Sequence, residues 1–163
     1  LVLLSRGMGA YQTGILFAVQ TLIIAVTKPS FGRISDRVDK RIQIIIGLFV
    51  LGGSVAAIPF ASAFTAFLLI SSLLALGMSL STVATSAYVA DVAEKEQMGA
   101  SMGALSSIMD IGHSAGPLVT GIVIAGCGFS PGFFVSFLIA VAVCGFFALS
   151  VREPAQRPGN QYN

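Results

Sequence analysis

The chain has 163 residues, 55% of them hydrophobic and only 10% charged, with a formal net charge of +2. Soluble domains carry about 25% charged residues, and a mean hydropathy of +0.90 leaves too little polar surface to coat a soluble globule. The basic residues form no broad patch of the kind that binds nucleic acid, and Cys127 and Cys144 set out neither a disulfide framework nor metal-ligand spacing.

The chain opens Leu-Val-Leu-Leu-Ser-Arg-Gly, with no initiator Met and no basic segment leading to a cleavage site. Residues 1–10 read as the end of a truncated preceding helix and an extracytoplasmic loop, which makes the chain a fragment of a larger protein. Five apolar runs follow, at about 11–31, 42–60, 64–90, 100–126 and 132–151. A helix needs about 20 apolar residues to cross a hydrocarbon core. Runs of this length without period-2 alternation predict helices rather than strands, and a helix satisfies its backbone polar groups within its own segment. The expected fold is all-α: a polytopic membrane bundle of five transmembrane helices, embedded in a lipid bilayer.

The breaks between runs agree. Lys28–Arg41 reads as a charged loop marked by Gly and Pro, Pro59–Ala63 as a short uncharged turn, and Asp91–Gln97 as a charged loop. Gly126–Gly132 reads as a turn, and residues 152–163 as a polar tail. Lys28, Arg33, Arg37, Lys40, Arg41, Lys95, Arg152 and Arg157 fall on one side, and Arg6 alone on the other. Positively charged loops stay in the cytoplasm, so the first and third loops and the C-terminus are expected there, at a bacterial- or archaeal-type plasma (inner) membrane. Anionic lipid at that face would hold the basic loop in place.

That loop reads Gly32-Arg-Ile-Ser-Asp36-Arg37-Val-Asp39-Lys40-Arg41. It resembles the signature loop of the major facilitator superfamily, G-x-x-x-D-R-x-G-R-R, at Gly32, Asp36, Arg37, Lys40 and Arg41. It departs at Asp39, where the family prefers Gly. Gly32 would allow a close helix approach. Asp36 would accept hydrogen bonds at a helix N-terminus or pair with an Arg of a neighbouring helix. Such a cluster can hold one conformation and release it in another, and it can equally serve only to set topology. A second stretch, Gly112-His-Ser-Ala-Gly116-Pro117-Leu-Val-Thr-Gly121, is similar to the G-x-x-x-G-P element of helix five or eleven in that family. Its glycines are expected to form a flat packing strip, with Pro117 inviting a bend. Ala90-Asp91-Val92 through Gly99 also resembles the family, without the usual Arg, since Met98 stands before the Gly. The resemblance implies family helices eight to twelve, partnered by a missing N-terminal half; helices two to six are the alternative.

Polar residues inside membrane runs are candidates for function. Asp110 and His113 lie three apart on one helix and so share a face. They form a possible proton-coupling pair, or Asp110 serves only to fix neighbouring helices. Ser72, Ser79, Thr82 and Ser86 repeat at helical spacing in the third run, with Met78, Ser81, Thr85 and Tyr88 alongside. They line a cavity or bond helix to helix, and Gln20 in the first run poses the same choice. Phe129, Phe133, Phe134, Phe137, Phe146 and Phe147 suit a lipid-facing last helix. No catalytic constellation and no phosphate-binding G-x-x-x-x-G-K-S/T loop occurs, so neither an enzyme nor an ATP-driven pump is expected, and no cofactor. The family resemblance implies part of a secondary transporter moving a small-molecule substrate by alternating access. It leans toward proton antiport and efflux of drugs or metabolites. The rival is a structural or signalling membrane protein built on the same fold.

Overall fold

A computed structural model describes residues 9–35 and 38–150. Asp36, Arg37, the opening segment that includes Leu1–Leu4, and the tail lie outside the described residues. Within them the chain forms five long helices: α1 (Ala10–Ser35), α2 (Lys40–Ala57), α3 (Phe64–Val92), α4 (Met98–Cys127) and α5 (Phe129–Ser150). Short 3-10 turns at Ile58–Phe60 and Lys95–Gln97 join α2 to α3 and α3 to α4. All five spans are long and apolar enough to cross a membrane. At 1.5 Å per residue the 26 residues of α1 reach about 39 Å, beyond the ~30 Å hydrocarbon core.

The helices differ from the sequence expectation mainly at their ends. α1 does not stop near residue 31. It runs through Pro29 to Ser35, so the expected loop from Lys28 is largely helical. A proline removes one donor from the ladder, and the helix can resume beyond it; Lys28 and Arg33 remain exposed on this extension. The expected turn at Gly126–Gly132 contracts to Gly128, whose φ of 89° lies in the left-handed region that favours glycine. Pro131 then falls in the first turn of α5, where a backbone N–H has no helical partner to lose.

Lipid is as apolar as the helices, so burial against one another gains little and close contact of small residues must hold the bundle. That contact is centred on α2. A Cβ built on Gly47 would stand 2.7 Å from the Ser81 backbone nitrogen, and one on Gly77 would stand 2.8 Å from that of Leu51. These two points fix an antiparallel register between α2 and α3. On the other flank, a Cβ on Gly52 would come within 2.9 Å of the Ala140 Cβ on α5. Ala75 and Ala84 on α3 are fully buried. α1 packs chiefly on α3, and Leu16, Ala61 and Phe67 make a small apolar core at the end of the bundle that holds the α2–α3 turn. At the same end Phe60 meets Phe134 edge to face, and at the opposite end Tyr88 meets Phe147. α5 is therefore pinned at both ends, and its phenylalanines are not all turned to lipid as the sequence suggested.

Gly32 differs from expectation. A Cβ there would meet nothing within 4 Å, so no close helix approach depends on it among the described residues. The close approaches belong to Gly47, Gly52, Gly77 and, between α4 and α5, Gly132 instead. Overpacking a tight contact costs about 1–3 kcal/mol. Gly47→Ala and Gly77→Ala are each expected to lower the melting temperature of the detergent-purified protein by that equivalent, while Gly53→Ala, which faces open space, leaves it unchanged.

Candidate functional site

Three regions hold the polar side chains that a greasy bundle must account for. The first is the end where α1 meets α2 and α3 meets α4. Asp39, the residue that departs from the family loop, is the N-cap of α2, and its carboxylate accepts from the Arg41 backbone N–H at 2.9 Å. Asp39 thus caps α2, while Asp36, expected to accept hydrogen bonds at a helix N-terminus or to pair with an Arg, lies outside the described residues. Lys40 donates to the Asp91 carboxylate in an ion pair that ties the first loop to the end of α3. Arg41 is half-buried, and its Nε and Nη2 are shielded without a hydrogen-bond partner. Just beyond Asp91, a cleft of about 340 Å³ is lined by Tyr88, Val89, Val92, Glu94, Gln97 and Ser101. The Gln97 amide donates to Glu94 at 3.2 Å across its rim.

The second region is the seam between α1 and α3. Thr27 Oγ1 and Ser79 Oγ are hydrogen-bonded at 2.9 Å, and Ser79 is fully buried. The pair fixes a parallel register that sets Gln20 level with Ser72. Gln20 is half-buried and makes no hydrogen bond among the described residues. Ser72 and Thr82 return their protons to their own helix, at Leu68 O (2.8 Å) and Met78 O (2.6 Å), and Ser86 is half-buried. The hydroxyl stripe of α3 is therefore not uniform: Ser79 is committed to helix contact, while the others remain partly open.

The third region is α4. Residues 110–119 are exposed all the way round the helix, and among the described residues α5 and α3 are the main neighbours of α4. Asp110 and His113 share one face, as expected, but they bond neither to each other nor to another described residue. Gly112, Gly116 and Gly121 each look onto open space. At 3.6 residues per turn, Gly112 and Gly116 fall together, whereas Gly121 falls on the side of Asp110 and Pro117. The expected three-glycine strip is therefore a two-glycine strip.

Ser35, Ser54 and Gln43 are buried polar groups that the sequence reading does not single out. Gln43 on α2 is only 4% exposed, with both amide atoms unpaired. It lies at the edge of an apolar run, beside the basic cluster, where nothing in composition separates it from a solvated loop residue. Among the described residues no cluster of His, Cys, Asp or Glu is placed to hold a metal ion.

Small-residue helix contacts, charged loops paired at one end and an open polar helix define a polytopic α-helical integral membrane protein. The Major Facilitator Superfamily profile matches residues 2–162, and the chain belongs to that family. It is 28% identical over 140 residues to an uncharacterised MFS-type transporter of Methanocaldococcus jannaschii, covering 85% of this chain and 36% of that protein. It is 27% identical over 150 residues to the staphyloferrin B transporter of Staphylococcus aureus, covering 91% and 35%. To multidrug resistance protein 1 of Bacillus subtilis it is 29% identical over 148 residues, covering 89% and 36%. The chain thus spans about a third of the length of the curated relatives it matches.

The Asp39 cap yields a direct check. Removing an N-cap side chain costs about 0.5–2 kcal/mol, so Asp39→Ala is expected to lower thermal stability by that equivalent. Asp39→Ser, which can still accept from the Arg41 N–H, should recover most of the loss.

Proposed function

We propose that this chain forms most of one half of a secondary transporter that moves a small solute by alternating access, with the other half supplied by the rest of the protein. The observation that carries the reading is the open middle of α4. A carboxylate and an imidazole at membrane depth are costly facing hydrocarbon, and two aligned glycines leave a flat strip suited to a packed helix. They are reasonable where a second set of helices and a water-filled path complete their surroundings. On this reading Gly112 and Gly116 seat a helix of the other half, and Asp110 and His113 exchange the coupling proton. Gln20, Ser72, Thr82 and Ser86 border the path. Similarity to a multidrug resistance protein and a siderophore-named transporter favours efflux of a drug-like or metabolite solute. Asp39 in place of the family glycine favours helices eight to twelve.

The signature loop acts as the latch in this scheme. Gly32, Asp36, Arg37, Lys40 and Arg41 lie at the cytoplasmic face of the plasma membrane, and Lys40–Asp91 is the contact that forms in one state and parts in the other. An exposed pair is worth about 0–1 kcal/mol, small enough to be broken within a transport cycle. Lys40→Asp in the full-length protein should slow flux, and adding Asp91→Lys should restore it; equal loss in single and double variants would show that the pair has no specific role. In vesicles with an imposed pH gradient and ethidium as probe, Asp110→Asn is expected to abolish gradient-driven movement. Unchanged uptake would remove Asp110 from coupling.

A further inference from the structure

α3 and α5 cross the bundle in the same direction and meet near the turn into α4, where the rings of Tyr88 and Phe147 stand edge to face at 6.3 Å. From that shared level the two helices end almost together. α3 closes at Val92, four residues beyond Tyr88, and α5 at Ser150, three beyond Phe147. At 1.5 Å per residue those ends differ by about 1.5 Å in level. Two residues further along each chain stand opposite charges, Glu94 after α3 and Arg152 after α5. Two residues of backbone span at most ~7 Å, so Arg152 leaves the bundle beside the α3–α4 turn.

That turn holds the cleft of about 340 Å³, and Tyr88 lines it as well as meeting α5. Val89 and Val92 make its apolar wall, and Glu94 and Gln97 its polar rim. Asp91 already has a cation in Lys40. Glu94 is exposed, and its described partner is the neutral Gln97 amide, which leaves the carboxylate charge uncompensated. Asp91, Glu94 and Glu96 against Lys95 make this stretch acidic, whereas Lys28, Arg33, Lys40 and Arg41 make the rest of this end basic. The segment that follows Ser150 carries Arg152 and Arg157 against Glu153. Reach and charge thus select the same occupant. We propose that residues 151–157 cross the mouth of this cleft and that Arg152 pairs with Glu94. The segment then straps the end of α5 to the turn from which α4 starts, the helix that carries Asp110 and His113.

The test is cross-linking in the full-length protein with its native cysteines replaced. Ala155→Cys with Val92→Cys, joined by a short bis-methanethiosulfonate linker, reports the segment at the cleft. Ala155→Cys with Val38→Cys reports it at an exposed position of the same end that does not line the cleft. The Val92 pair is expected to join faster than the Val38 pair. Arg152→Glu should slow the Val92 pair about threefold, a shift within the range that an exposed ion pair supports. Glu94→Arg should slow it equally, and the two reversals together should restore the parent rate. Raising the salt to about 1 M, where screening acts within ~3 Å, should slow the parent as Arg152→Glu does. Equal rates at Val92 and Val38 would mean that the segment has no seat and would overturn the inference. Charge reversal without effect would overturn it too, and so would a double variant no faster than the single ones. The readout needs no solute movement, so the strap stands or falls apart from the transport reading.

Discussion

The bundle depends on the approach of α2 to α3. In water, burying leucines would hold two helices together at ~25 cal/mol per Å². In lipid that term largely vanishes, and short-range packing has to replace it. Gly47 against Ser81 and Gly77 against Leu51 bring the two backbones so close that a single added methyl carbon has no room. Once those contacts are set, the register of α3 is set, and with it the level at which Ser79 meets Thr27 and Asp91 meets Lys40. The polar contacts between helices thus follow from close packing elsewhere on the same helix.

The structure also divides into a firm part and an open part. α2 has neighbours on both flanks, α3 and α5. α1 rests on α3 alone to any large extent, and α4 is exposed through its middle. Exposed Phe17, Leu69, Ile122 and Leu149 need no partner, because lipid serves them. Asp110 and His113 have no such outlet. The contrast between apolar exposure that the bilayer satisfies and polar exposure that it does not is the physical basis for placing a path, or a facing helix, beside α4.

Much of this was legible in the sequence, for reasons that differ between residues. The five spans were clear because hydrocarbon thickness imposes a minimum length on an apolar run. The family was clear from the Gly32–Arg41 and Gly112–Gly121 stretches, which carry chemistry at fixed spacing. Helix ends were not, because α1 resumes beyond Pro29 despite the lost donor, and Pro131 falls in the first turn of α5 rather than in a loop. Asp39 departs from the family loop at the position where α2 begins, and its cap depends on where that helix starts, which the motif does not show. Ser79 and Ser72 looked alike on a helical stripe. Only the register with α1 separates a buried hydroxyl bonded to Thr27 from one turned back on its own helix. Gln43 gave no signal, since burial of an amide at the end of an apolar run depends on which neighbours arrive.

On the proposed function, the face of α4 carrying Asp110 and His113 borders a water path opened to each side of the membrane in turn. The decisive measurement places a cysteine at His113 in the full-length protein, with the native cysteines removed, and applies a membrane-impermeant thiol reagent from either side. Labelling is expected from both sides, with access from one side falling as conditions raise access from the other. Labelling only by lipid-soluble reagents, or by none, would contradict it.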